Sequence, residues 1–159
     1  MALRNIVTEG DDILTKKCRE VEKFDEKLAQ TIDDMIETMR ASNGVGIAAP
    51  QIGLLRQICV LEPEEGLVYE LVNPVILDSY GEQEGYEGCL SVPGYIGKVV
   101  RPQYLKIRAQ DRTGAQITYE FRDFEAVVAS HETDHLQGIL YTTKATDVHI
   151  PEAEPEEEA

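Results

Sequence analysis

This chain of 159 residues lacks any apolar run near the roughly 18 consecutive residues that a membrane helix needs, so no membrane association is expected. Its first twelve residues have no basic stretch leading into an apolar segment, which argues against a secretory signal and for a cytoplasmic place of work. Cysteines are few, odd in number and irregularly spaced (Cys18, Cys59 and Cys89), so a disulfide framework is not expected and each is core filler, ligand or nucleophile. Positive charge is scarce: 15 Lys and Arg against 30 Asp and Glu give a net charge of −15. The last nine residues, Pro151 to Ala159, hold five glutamates and no base, yet removing those five still leaves −10. Such a surface repels phosphate backbones, so direct nucleic-acid binding is not expected. The tail is too polar to offset its own ordering entropy and is read as disordered over 151–159, solubilising or partner-binding, after one catalytic domain over 1–150.

What remains is an ordinary globular composition, 42% hydrophobic and 28% charged, long enough for a real core. Asp25 can cap a helix in which Leu28, Ile32, Met35, Ile36 and Met39 recur every three or four residues, and Asn43-Gly44 stops it. Strand candidates follow at Gln57 to Leu61, Tyr69 to Val72, Val75 to Leu77, Leu105 to Gln110 and Ile117 to Phe121. Asp111 to Gly114 reads as the hairpin turn between the last two. A second helix is expected from about Asp123 to Gln137, stopped by Gly138. The pattern predicts an α+β domain of mostly antiparallel sheets packed around this C-terminal helix, with a helix near the N-terminus.

The second helix contains His131-Glu132-Thr133-Asp134-His135, an H-E-x-x-H pattern. At 100° per residue Phe124, Val127, Val128, His131 and His135 form one stripe, so both imidazoles are expected to face the core, with Ala126, Thr133 and Gln137 opposite. Two His at i and i+4 can grip one metal ion, with Glu132 at the edge of the same face. Two core histidines without a metal would bury titratable rings beside a carboxylate with no charge partner, which is costly. A catalytic site needs a third protein ligand and an open position. The continuation H-E-x-x-H-x-x-G-x-x-H fails, because Gly138 is in place but Tyr141 stands where His is needed. Downstream only Asp147, His149 and the tail glutamates remain, and a flexible tail is a poor place for a ligand. Cys89, in Glu87-Gly88-Cys89-Leu90-Ser91-Val92-Pro93, is the leading upstream candidate. His149, or Cys89 acting as a nucleophile, stays as the alternative. Cys59 lies in an apolar run and reads as a buried structural thiol. The segment Gly44-Val45-Gly46-Ile47-Ala48-Ala49-Pro50-Gln51 is neither a dinucleotide fingerprint nor a P-loop. Its small residues suit a backbone laid alongside a peptide, and Gln51 offers an amide to an oxyanion, although a tight structural loop reads equally well.

Together these three segments resemble the peptide deformylase family, whose motifs are G-x-G-x-A-A-x-Q, E-G-C-L-S and H-E-x-D-H, over about Ile6 to Tyr141. The resemblance implies hydrolysis of the N-formyl group from the N-terminal methionine of nascent proteins. It implies that Cys89, His131 and His135 bind one divalent metal, Fe2+ in the cell, with Zn2+, Ni2+ or Co2+ able to substitute. Glu132 would be the general base and then the acid, and Gln51 with the Leu90 backbone N–H would hold the formyl oxygen. Val45, Gly46 and Gly88 would lie along the peptide, and Val127 and Val128 would line the methionine pocket. Glu87 would pair with Arg101. The implied partners are N-formylmethionyl peptides and nascent chains at the ribosome, met by a monomer. Ser130, where many members have Gln, is expected on the far side of the helix and without consequence.

Overall fold

The computed structural model describes residues 2–152, so the acidic tail expected over 151–159 lies, beyond Glu152, outside the described residues. The first helix, α1 (Glu26–Ala41), begins where Asp25 accepts a hydrogen bond from the N–H of Leu28 at 3.0 Å. It ends before Asn43, whose φ of 56° breaks the helical path. Leu28, Ile32, Met35 and Met39 are fully buried along one stripe, while Ile36 is half-buried at its edge.

Among the described residues eight strands follow: β1 (Gly46–Ala48), β2 (Ile58–Glu64), β3 (Leu67–Tyr80), β4 (Gln83–Cys89), β5 (Val92–Arg101), β6 (Tyr104–Gln110), β7 (Gln116–Arg122) and β8 (Thr146–His149). The second helix, α2 (Phe124–Leu136), lies between β7 and β8. All strand pairs are antiparallel, in a five-stranded sheet ordered β1-β2-β3-β6-β7 and a three-stranded sheet ordered β4-β5-β8. The expected α+β class and antiparallel sheets are therefore observed. No helix among the described residues is long and apolar enough to cross a membrane.

The continuous apolar run in β2 has a simple cause, because both faces of the large sheet are covered. Cys59 and Leu61 join Leu71, Leu105, Ile107 and Phe121 against Ala126, Val128, Ala129 and Leu136 of α2. Ile58 and Val60 point the other way, to Leu28, Ile32, Met35 and Met39 of α1. The helix carrying both histidines is thus clamped onto a sheet.

Four expectations need correction. Tyr69 to Val72 and Val75 to Leu77 are one strand, β3, with register shifts between Val72 and Val75 and again between Ile76 and Asp78. Asn73 at φ 51° and Pro74, which has no N–H to donate, form the irregular step that read as a break. Strands β4 and β5 were not foreseen, because Gly85, Gly88, Gly94 and Gly97 interrupt any alternation and much of both strands is exposed. The segment after α2, where no strand was expected, forms β8, which pairs with β5 at Ile96↔His149 and Lys98↔Thr146. Finally, α2 does not have one buried stripe. Ala126 and Thr133, expected to face outward, are buried, and Phe124, expected to face the core, is 53% exposed. The helix lies between two sheets, so nearly its whole circumference is covered. Thr133 satisfies its hydroxyl by donating to the carbonyl of Ala129 at 2.8 Å.

Candidate metal centre

Helical spacing brings the His131 and His135 rings together, with centroids 5.1 Å apart. Cys89 reaches them from the end of β4, where the register slips between Glu87 and Cys89 and turns the sulfur inward. Its Sγ lies 3.3 Å from His135 Nε2, and one ligand atom from each of Cys89, His131 and His135 lies within 4.8 Å of the other two. Bonds of about 2.3 Å to sulfur and about 2.1 Å to nitrogen in a tetrahedral site put such atoms roughly 3.5 Å apart. The donor set therefore fits a single divalent cation with a position to spare. His149 is elsewhere, on β8, with its Nδ1 2.7 Å from the Asp147 carbonyl oxygen and its ring edge-on to Tyr86. Its candidacy as third ligand ends there. Cys18 and Cys59 are both buried in the core, as expected for Cys59.

Behind the three clustered donors lies a chain of buried charge. Arg101, 2% exposed, grips Glu87 with two hydrogen bonds of 2.8 Å and reaches Asp134 Oδ2 at 2.8 Å. Glu87 Oε1 also bonds His131 Nδ1 at 2.8 Å, and Lys144 closes the series on Asp134 at 2.8 Å. The expected Glu87–Arg101 pair is thus present, and through it the His131 ring is fixed with Nε2 free to face the cation site. Ser130 is not on the far side of the helix, as its buried Oγ accepts from Arg101 at 3.2 Å. Asp134, Lys144 and Ser130 were missed. Asp134 carried the one visible signal, a carboxylate on the turn between the two histidines.

Burial opposes charge on Glu87, but the hydrogen bonds from Arg101 and His131 outweigh it and hold the carboxyl at about 2. Burial likewise pulls His131 down, yet its contacts with Cys89 and Glu87 and the nearby Glu132 charge raise it to about 10. His135 is pushed down to about 3 by burial, with the charges on His131 and Arg101 adding to the effect. A ligating imidazole must be neutral, so His131 has to release its Nε2 proton to bind a cation. Metal affinity should therefore climb by about tenfold per pH unit between pH 6 and 8 for that one proton. Calorimetric titration in buffers of different ionisation enthalpy counts the protons, and an affinity flat across this range would contradict the assignment.

Glu132 is 3% exposed, its Oε1 lies 3.7 Å from His131 Nε2, and its Oε2 is buried with no hydrogen-bond partner among the described residues. Burial pushes its carboxyl up to about 7, His131 and Arg101 pull the other way, and Glu87 adds to the rise. An acidity near neutral would suit a group that both takes and gives a proton. Gly46 makes room for it. A Cβ there would lie 2.7 Å from Glu132 Cγ and 3.1 Å from Val128 Cγ1. Gly46→Ala should displace the carboxylate and lower kcat on the order of 100-fold with metal content unchanged. Steady-state kinetics beside elemental analysis check this, and a variant as fast as the parent would show that Glu132 tolerates the shift.

The site opens on a cavity of about 440 Å³ lined by Val45, Gly46, Gln51, Gly88, Leu90, Val127 and Val128, all anticipated, and also by Tyr86, Tyr95 and Phe124, which were not. Gln51 is buried on the short turn Ala49–Ile52, with its carboxamide toward Cys89.

A sequence model of the polypeptide deformylase family matches residues 3–150. A peptide deformylase of Acetivibrio thermocellus is 48% identical over 144 residues, covering 91% of this chain and 84% of that one. Another, from Agathobacter rectalis, is 49% identical over 144 residues, covering 91% and 90%. Among solved structures, the peptide deformylase of Thermotoga maritima superposes with a TM-score of 0.89 at 35% identity, covering 92% of this chain and 99% of that chain. That of Ehrlichia chaffeensis, solved in complex with actinonin, does so with a TM-score of 0.87 at 36% identity, covering 92% and 91%. With motif, geometry and whole-length similarity in agreement, this chain belongs to the polypeptide deformylase family.

Proposed function

We propose that residues 1–150 act as one catalytic domain that hydrolyses the formamide bond of N-formylmethionyl peptides, with Cys89, His131 and His135 holding one divalent cation. The chain is a hydrolase of the peptide deformylase type, and this family depends on a metal. The observation that carries the residue-level reading is one convergence: a thiol and two imidazoles within 4.8 Å of one another, beside a buried carboxylate oxygen with no partner among the described residues. A structural metal site would need no such carboxylate.

When bound, the cation supplies Lewis acidity, favouring hydroxide over water at neutral pH and drawing negative charge onto a carbonyl oxygen. The chain's own residues do the rest. Glu132 Oε2 takes a proton from the attacking water and passes it to the amine as the C–N bond breaks. The Gln51 carboxamide and the Leu90 N–H meet the charge growing on the formyl oxygen, each well-placed donor contributing about 3–4 kcal/mol. Val45, Gly46 and Gly88 lie along the peptide, while Val127 and Val128 take the methionine side chain into an apolar wall. Glu87 and Arg101 keep His131 Nδ1 occupied, so the ring presents Nε2.

Ferrous iron is the proposed ion in the cell, replaceable by zinc, nickel or cobalt, and a thiolate ligand makes the site sensitive to oxidation. The proposed setting is the cytoplasm, on nascent chains at the ribosome, as a monomer that does not itself bind nucleic acid. The net charge of −15 supports the last point. The test is formate release from formyl-Met-Ala-Ser by protein purified without oxygen and loaded with ferrous iron, beside a generic unformylated peptide. Formate from the first and no cleavage of the second is expected. Peptide cleavage without formate would replace this reading with a metallopeptidase.

A further inference from the structure

Ser91 follows the candidate ligand Cys89 by two residues and is fully buried, yet neither ligand binding nor proton transfer gives it a task. Its Oγ accepts a hydrogen bond from Gln51 Nε2 at 3.1 Å. The other end of the same carboxamide is fixed independently, because Gln51 Oε1 accepts from the backbone N–H of Ala48 at 2.9 Å. A backbone N–H can only donate, so the oxygen must be the atom facing Ala48 and the NH2 must face the site. That NH2 has two hydrogens. One goes to Ser91, and the other points to the Cys89 side, where Sγ lies 3.6 Å away.

We infer that Ser91 is a positioning residue for deformylation: its hydroxyl holds one Gln51 N–H, so that the second is aimed at the oxyanion before substrate arrives. This rests on the deformylase reading and adds to it the residue that aligns the donor. Without the Ser91 acceptor the carboxamide still has Ala48 at its oxygen, but the NH2 can twist about the terminal torsion, which is broad for Gln. A donor aligned in advance gains most where charge develops in the transition state and little in the ground state. The effect therefore falls on kcat and leaves KM nearly alone. A hydroxyl that merely satisfied a buried amide would affect stability and not this ratio.

The test is a double-mutant cycle on the ferrous holoenzyme, with formate release as the rate. Ser91→Ala should lower kcat about tenfold at a KM within about threefold of the parent and with unchanged metal content. In a Gln51→Ala background the same change should cost less than about twofold, since Ser91 acts only through Gln51. Additive losses would overturn the proposal, as would a loss seen in KM alone. The unaltered zinc-loaded enzyme supplies a reading independent of variants and turnover. In 15N spectra one Gln51 side-chain proton should be protected from solvent exchange more strongly than its geminal partner, and equal exchange would contradict the assignment. A parent that releases no formate would remove the deformylase reading itself, and this inference with it. A parent that does, combined with an additive cycle, removes this inference alone.

Discussion

Glu132→Gln lowers formate release by about 10² to 10⁴-fold while the metal stays bound, the full range that a positioned acid–base group contributes. The substitution keeps the shape of the side chain and removes only its ability to carry a proton. The structure makes that ability specific. Glu132 Oε2 is buried without a partner among the described residues, so none of them uses it, and burial raises the carboxyl to about 7. Retention of metal separates this outcome from collapse of the site, because Glu132 is not among the three clustered donors. The check is steady-state kinetics with elemental analysis of the same sample. Turnover within tenfold of the parent would move the proton-carrying role to another group.

Arg101→Met destabilises the fold by about 3–5 kcal/mol, the range measured when one partner is removed from a buried ion pair. Arg101 is the only Lys or Arg bonded to Glu87 among the described residues, and it also bonds Asp134, whereas Lys144 supports Asp134 alone. Without the guanidinium the Glu87 carboxylate stays buried with only the His131 ring beside it. The pH dependence carries a second signature. In the parent the Glu87 carboxyl is held at about 2, below the 4.5 of a free glutamate. Its stabilisation is thus complete above about pH 4.5 and lost as pH falls toward 2. In the variant the same carboxyl is desolvated with only the His131 ring bonded to it, its pKa rises, and this acid-side loss shrinks. Chemical denaturation of parent and variant at pH 7 and pH 4 measures both effects. Equal stabilities at pH 7 would show that the pair contributes nothing net. A Lys at the same position should recover only part, since it cannot reproduce the two-pronged grip.

How much of this was legible in the sequence depended on the range of the signal. His131, Glu132 and His135 were readable because helical spacing alone puts them on neighbouring turns. The boundaries of α1 followed from local chemistry, the Asp25 cap and the Asn43 stop. Cys89 is far away in sequence, and only elimination and the E-G-C-L-S resemblance pointed to it. What makes it a neighbour of His135 is a register slip in β4, which no local pattern announces. The small sheet was invisible for a related reason. Strands β4, β5 and β8 are short, glycine-rich or largely exposed, so they have no two-residue rhythm of burial. The face of α2 was misread because a helix enclosed on most sides has no polar side to find. Ser130 and Thr133 look like solvent-facing residues, yet one accepts from Arg101 and the other bonds its own helix backbone. Their burial is a property of the partners and cannot be read from the residues alone.

X-ray absorption at the iron edge of anaerobically purified protein addresses the arrangement itself, without variants or turnover. One sulfur scatterer at about 2.3 Å and two imidazoles are expected, with oxygen completing the shell. A spectrum with no sulfur neighbour, or with three imidazoles, would place Cys89 outside the coordination sphere and contradict the centre described above.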